Sequence, residues 1–431
     1  MSVFYVPAGV ENIIVGSNTI YSANDNTPIR QSTFSGFNRI WNTGKHKIKF
    51  NKQPYGQRVD IDPSYTMACS FGPAMMVNEG FRMCLMNPSV RTTTINSFKD
   101  AGIITIIDSG GFQFLSGVKD FVDPDFNIKY YNKLGNIGMD LDIPSSHVPM
   151  RKEHRIALAL IQKESYNYMK EKIKPSVKLC LVNHGYTIDD RQLCYDTLDR
   201  PESEVEFLAL PGFARSDRRT DNPYELRIAE AILHSVKNYP KVKYIHCLGL
   251  SSNLGILIYS LVDQLDIVKN IGGDSVSHIM TGASGTFNIK PFGHLSLDKK
   301  YHTHVYPNCG CPVCQVMSDY SLLTGYFPIT IHNLINSKRN ADYIQLLVKE
   351  FLANNIKDHE LVRACNVKIT VEQFRVLYDY ITEFKSSGVF KPLKIKHKNG
   401  LFGTKTIPTE PYANYFKVIS NYEAYYKKRF M

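Results

Sequence analysis

The chain has no apolar run approaching the roughly 18 residues that a membrane-spanning helix needs. Its opening, MSVFYVPAGVEN, lacks the basic stretch leading into an apolar one that marks a secretory signal. Long low-complexity linkers are missing as well. These absences argue against a membrane partner and set a soluble, cytoplasmic protein as the expectation. An acidic balance is also missing: 51 Lys and Arg against 40 Asp and Glu give a formal net charge of +11, which suits a phosphate-bearing partner. What is present, 431 residues with 43% apolar content, is enough for a large core and further elements around it.

The most informative stretch is Gly102–Gly117, GIITIIDSGGFQFLSG, where a short β-branched run stops at Asp108, Ser109 and two glycines. Ile103 to Ile107 have the composition of a strand covered on both faces, and an acid at its end is presented rather than enclosed. Asp-Ser-Gly-Gly is equally good turn chemistry on its own. The arrangement recurs, however: IGMDLDIP ends near Asp142, VKLCLVNHG at Asn183–Gly185, VEFLALPG at Gly212, VKYIHCLGL at Leu248–Gly249, and VKNIGGDS at Asp274. The junctions fall about 25 to 42 residues apart, the size of a βα unit. Amphipathic stretches at 152–174, 222–239 and 253–269 fill gaps between them. The pattern predicts an α/β fold, and polar residues ending several different strands favour a TIM (β/α)8 barrel over an open sheet.

Nine cysteines fit a reducing compartment. Cys69, Cys84, Cys180, Cys194, Cys247 and Cys365 read as buried thiols. Cys309, Cys311 and Cys314 differ, because three soft ligands share six residues with Gly and Pro shaping a tight knuckle. Strain disfavours a Cys-x-Cys disulfide. A structural Zn2+ needs a fourth ligand, and His332 is the choice, with His302 and His304 as rivals. Four protein ligands would close the site, which argues against a zinc-dependent hydrolase.

Together DSGGFQ, LDIP, the Asp-Ser pair near 274, CxCxxC and a downstream HNL resemble the tRNA-guanine transglycosylases, in the same order. The resemblance covers roughly residues 102 to 334, and the combination is far more specific than any one motif. It implies a TIM barrel with an inserted zinc-binding subdomain, and a pentosyltransferase that exchanges guanine for a 7-deazaguanine. By the same resemblance Asp108 shuttles protons, Ser109 and Gln113 contact the exchanged base, and Phe112 stacks on it. Asp142 matches the acid that reads the amine and ring N–H of guanine through two parallel hydrogen bonds. Its plain alternative is a helix cap. His184 falls where the family has a glutamine on the base, although a lone histidine is otherwise a structural one. Gly212 matches a backbone contact, and Leu248 with Gly249 the other wall of the stacking slot.

The nucleophile departs most from the family. A bacterial Gly-x-Asp-x-x-Asp frame laid on GGDSVSH puts Ser277 at the attacking position, whereas an archaeal-type frame puts Asp274 there. Asp274 is preferred, because attack at an anomeric carbon through an oxocarbenium-like transition state suits a carboxylate and not a serine. Retained together, Asp108, Asp142 and Asp274 favour an enzyme; the Ser277 frame would favour a noncatalytic nucleic-acid-binding subunit.

Departures from the tRNA enzymes shift the reading toward their DNA-modifying relatives, the phage and bacterial enzymes that insert 7-deazaguanines into DNA. DNA guanine is then the acceptor and 7-cyano-7-deazaguanine (preQ0) the incoming base, with tRNA as the alternative acceptor, and a phage-encoded protein would act in the host cytoplasm. Arg215, Arg218 and Arg219, just past a strand end, are candidate nucleic-acid contacts. The tail interleaves Tyr412, Tyr415, Phe416, Tyr422, Tyr425 and Tyr426 with Lys417, Lys427, Lys428 and Arg429, and Lys391, Lys394, Lys396 and Lys398 precede it. It reads either as a stacking surface for nucleic acid or as a solvated basic helix packed through its tyrosines. Four segments follow: 1–70 as an N-terminal extension or lid, 71–288 as the barrel, 289–334 as the zinc subdomain and 335–431 as closing helices with the tail. FGPAMMVN is expected to be the first barrel strand. A homodimer or partner proteins are compatible with this reading and not specified by it.

Overall fold

The computed structural model describes residues 2–7, 73–88, 92–111, 114, 120–143, 151–185, 187–199, 204–213, 224–275, 277–278, 281, 286–289, 293–296, 310–311, 314, 326–392 and 415–430. Strands β2 (Met83–Met86), β3 (Ile104–Ile107), β4 (Ile137–Met139), β5 (Lys178–Val182), β6 (Phe207–Leu210), β7 (Tyr244–Cys247) and β8 (Asn270–Ser275) pair in sequence order, every pair parallel. This sheet is nearly closed into a barrel. Ser2–Pro7 (β1) pairs in parallel with β8, Ser2 opposite Asn270 and Pro7 opposite Ser275, and so occupies the side of β8 that faces β2.

Parallel neighbours need long crossovers, and helices supply them. In chain order these are α1 (Pro73–Asn78), α2 (Thr92–Asp100), α3 (Pro124–Leu134), α4 (Lys152–Lys172), α5 (Ile188–Leu198), α6 (Tyr224–Asn238) and α7 (Asn253–Gln264). Their starts are written locally. Asp123 caps α3, accepting from the Asp125 amide at 3.0 Å with Pro124 in the first turn, and Thr187 closes a capping box with Asp190 on α5. The stretch expected as the first strand is instead helix α1: Pro73 fixes a helical φ where its missing N–H is not needed, and Ala-Met-Met are good helix formers. The strand lies ten residues further on, in MCLM.

Two apolar clusters flank the sheet. The larger joins strand residues such as Ile107, Leu181 and Ile245 to the helices. The smaller takes alternate residues of successive strands: Met83 and Leu85, Ile106, Ile137 and Met139, Cys180 and Val182, Ala209, and Tyr244. It contains no helical residue, so it is the interior face of the curved sheet. Covered on both faces, these strands bury nearly every side chain, which is why they read in sequence as unbroken apolar runs.

After β8 come a hairpin of β9 (Thr286–Ile289) and β10 (Gly293–Ser296), then α8 (Tyr326–Leu352), α9 (Asp358–Ala364), α10 (Val371–Ser387) and α11 (Tyr415–Phe430). Helix α8 packs on α7 and runs unbroken through position 334, so His332 and the closing helices share one element. Helix α11 lies against α4. Its Tyr422 and Tyr426 are buried; the Tyr422 hydroxyl bonds both the N–H (3.1 Å) and the carbonyl (2.9 Å) of Val122, and Arg429 stacks over Tyr425 and pairs with Asp125. Tyr422, Tyr425 and Tyr426 therefore pack, while Lys427 and Lys428 stay exposed. Among the described residues no helix is long and apolar enough to cross a membrane.

Candidate active site at the strand ends

All strands of the sheet run the same way, so their C-terminal ends form one rim. Side chains alternate along a strand, and the alternation that turns Ile106 inward brings Asp108, two residues on, to the mouth of the same interior. On β7 it places His246 above Tyr244. On β8 Gly273 faces outward, where a Cβ would stand 1.8 Å from the Leu250 carbonyl oxygen, so Asp274 faces in. Asp142 arrives from the segment after β4 and is 8% exposed.

Close packing holds these groups. A Cβ on Gly111 would lie 2.1 Å from the Asp142 carbonyl oxygen, so only glycine lets the Asp108 loop approach the Asp142 segment. Ser109 is buried and its hydroxyl oxygen accepts from the Asp142 amide at 3.0 Å; its carbonyl accepts from Asn127 Nδ2 at 3.1 Å. His184 Nε2 stands 3.4 Å from Asp142 Oδ1. Next to it the buried Asn183 carboxamide has no hydrogen-bond partner on either polar atom among the described residues. Arg191 of α5, itself buried, ties two strand ends together, donating to the Asn183 carbonyl at 2.7 Å and the Pro211 carbonyl at 2.8 Å. Asp274 Oδ1 accepts from the Gly249 amide at 2.7 Å and lies 3.1 Å from His246 Nε2.

The acids feel one another. Burial raises the half-buried Asp108 carboxyl to about 6; amide hydrogen bonds from Gly110 and Ser109 oppose this, and the charge of Asp274 adds to it. Asp142 is pushed to about 8, first by burial and then by the charges of Asp108, Asp140 and Asp274. Near neutral pH Asp142 is mostly protonated and Asp108 exchanges its proton readily, the condition a general acid that later serves as a base requires.

Of the residues singled out in the sequence, the structure brings Asp108, Ser109, Asp142, His184 and Asp274 to one rim, with Gly212, Leu248 and Gly249 at the ends of β6 and β7. Ser277 lies exposed beyond the end of β8. Phe112, Gln113, Arg215, Arg218 and Arg219 lie outside the described residues. Sequence reasoning passed over Tyr244, His246, Asn127 and Arg191. For His246 a signal existed: a histidine two residues after a tyrosine in a short buried strand shares its face. Asn127 and Arg191 sit on helices, where nothing local announces them.

A second cluster lies where α8 meets β9 of the hairpin. Cys311 and Cys314 are buried with His332, and their ligand atoms lie within 4.8 Å of one another. His332 Nδ1 is 3.5 Å from Cys311 Sγ and 3.2 Å from Cys314 Sγ, while Nε2 meets the Asn288 carbonyl at 2.8 Å. That outer contact fixes the ring so that Nδ1 points at the sulfurs, as in metal-bound histidines. Bond lengths of about 2.0–2.3 Å to a tetrahedral ion put N and S roughly 3.5 Å apart, so the three residues fit a metal. Cys69, Cys309, His302 and His304 lie outside the described residues; Cys84, Cys180, Cys194, Cys247 and Cys365 are buried and in no disulfide among the described residues. Compared with protein-family models and with curated proteins, the chain matches neither.

Proposed function

We propose that the chain is a nucleic-acid guanine transglycosylase built on a closed (β/α)8 barrel, exchanging guanine in DNA for a 7-deazaguanine such as preQ0. One observation carries the reading: carboxyls from β8 and from the segments after β3 and β4 meet at a single rim, where the charge of Asp274 adds to burial in raising Asp108 and Asp142. Two acids with different environments are what a double displacement at an anomeric carbon needs. An Asp274 oxygen attacks C1′ of the target nucleotide, the bond to the base breaks with its electron pair, and Asp108 supplies the proton with which guanine leaves. Asp108 then takes a proton from the incoming deazaguanine, which attacks C1′ and returns the electron pair to Asp274. Asp142 reads the base: a purine offering two N–H donors prefers it ionised, so the base draws off the proton that burial places there.

Ser109, Phe112, Gln113, His184, Gly212, Leu248 and Gly249 complete the purine slot in this reading, with Arg215, Arg218 and Arg219 on the backbone. A base in duplex DNA must leave the stack to reach the rim. Cys311, Cys314 and His332, with Cys309, hold a structural Zn2+. Incubation with labelled guanine and either duplex DNA or tRNA tests the acceptor: labelling of DNA is expected, and labelling of tRNA alone overturns that choice. Denaturing gels test the nucleophile, since Asp274→Asn must abolish a covalent protein–nucleic acid adduct. An adduct surviving in that variant removes Asp274 from the role.

A further inference from the structure

Behind Asp274 lies a buried hydrogen-bonded chain that the proposed reaction does not use. Tyr244 and His246 alternate on β7, both facing the interior, 3% and 0% exposed. The Tyr244 hydroxyl is 2.7 Å from His246 Nδ1, and His246 Nε2 is 3.1 Å from Asp274 Oδ1. The Gly249 amide donates to that same oxygen at 2.7 Å. The Gly249 N–H and the His246 ring therefore converge on Oδ1.

We propose that Tyr244 and His246 are positioning residues which lock the imidazole in its Nε2–H tautomer, tether Oδ1 of Asp274, and leave Oδ2 as the atom that attacks C1′. The inference rests on Asp274 being the nucleophile. An ionised carboxylate only accepts, so the imidazole must present Nε2–H to it, and a neutral ring then has Nδ1 free to accept. Tyr244 suits the donor's place, because burial pushes its hydroxyl well above the ordinary phenol range and keeps its proton on. When Oδ2 bonds to C1′, the bond to guanine breaks with its electron pair and guanine takes the Asp108 proton, Oδ1 becomes the ester carbonyl oxygen. No proton moves along the chain. When the deazaguanine attacks, the C1′–Oδ2 bond breaks with its pair returning to the carboxylate, and the His246 and Gly249 donors meet the charge reappearing on Oδ1. The tether therefore assists resolution of the adduct more than its formation.

The test uses the full chain with labelled guanine and duplex DNA, with tRNA in a parallel arm, and steady-state rates beside quenched adduct levels. His246→Leu is expected to lower kcat by about 100-fold at nearly constant KM, with the adduct accumulating. His246→Gln, whose amide N–H can reach Oδ1, should recover most of that loss. Tyr244→Phe should lower kcat by about 5- to 10-fold in the parent and by almost nothing in the His246→Leu background, since it acts through the ring. Glutamine no better than leucine, equal effects of Tyr244→Phe in both backgrounds, or a loss confined to KM overturns the inference. Nitrogen-15 shifts of the His246 ring, assigned by difference from the His246→Gln protein, give a readout independent of turnover: the Nε2–H tautomer supports the tether and the Nδ1–H tautomer removes it. An adduct persisting in Asp274→Asn sinks the nucleophile itself, whichever tautomer the ring shows.

Discussion

Asp142→Asn isolates the energetic burden of placing an acid at this rim. The folded chain holds the Asp142 proton up to about pH 8, whereas in an unfolded chain the same group gives it up near 3.8. Across that window the folded state binds more protons than the unfolded one, so this group's contribution is complete below about 3.8 and is lost as pH rises toward 8. Asp108 acts in the same direction, but with a carboxyl at about 6 its share is mostly gone by pH 6.5. Buried His234 and His278, lowered to about 4 and about 3, act the opposite way, and their slope also ends near 6.5. Among the described residues Asp142 dominates between pH 6.5 and 8, and at about 1.4 kcal/mol per unit its loss over that interval is roughly 2 kcal/mol. Asparagine keeps the shape and cannot ionise. The wild-type melting temperature should therefore fall by a few degrees from pH 6.5 to 8 relative to that of Asp142→Asn. Melting curves at both pH values, for both proteins, measure this double difference. Parallel curves would refute the placement of a protonated carboxyl at position 142.

Four further outcomes follow from the same contacts. Gly111→Ala must move the Asp108 loop away from Asp142, because its Cβ would stand 2.1 Å from a backbone oxygen; base exchange should fall by about 100-fold while circular dichroism stays native. Binding of free guanine should release close to one proton at pH 7 and none above pH 9, measured by calorimetry in buffers of differing ionisation enthalpy; uptake of a proton contradicts the role given to Asp142. Substituting Co2+ should produce a thiolate-to-metal charge-transfer band that disappears in Cys311→Ser, and His332→Ala should weaken metal retention in a chelator competition. Tyr422→Phe removes the hydroxyl that bonds both polar groups of Val122 and should lower stability by about 1–2 kcal/mol in denaturant unfolding; an unchanged midpoint would show that α11 does not brace the loop after β3.

The strand ends were legible because strands covered on both faces leave unbroken apolar runs, and whatever polar residue follows stands out. Asp108, Asp142 and Asp274 were found that way. FGPAMMVN reads as a strand for the same reason, since a short apolar run has no period to separate strand from helix; the feature that decides for helix is its proline, a helix-start residue. MCLM has four buried residues and is followed by Asn87 and Pro88, a plain turn with no acid or glycine pair to set it apart from other loops. Helix α5 escaped because it buries Arg191 and Cys194 on its inner face, so its charge pattern does not sort into a wet side and a dry one.

What the sequence cannot express is how residues on different strands share one atom. Asp274 is a single acid in a glycine-rich strand until the fold brings the Gly249 amide and His246 to its Oδ1. The same holds for the tail: KVISNYEAYYKKR contains both an aromatic row and a basic row, and only the docking of Tyr422 and Tyr426 against Val122 and α4 decides which row is used for packing. With Tyr422 and Tyr426 turned inward, any electrostatic contribution of α11 to a phosphate partner falls to Lys427 and Lys428, since Lys417 and Arg429 already pair with Asp120 and Asp125. Replacing both exposed lysines with glutamine should then reduce the salt dependence of DNA binding without altering the melting temperature, whereas Arg429→Gln should lower the melting temperature.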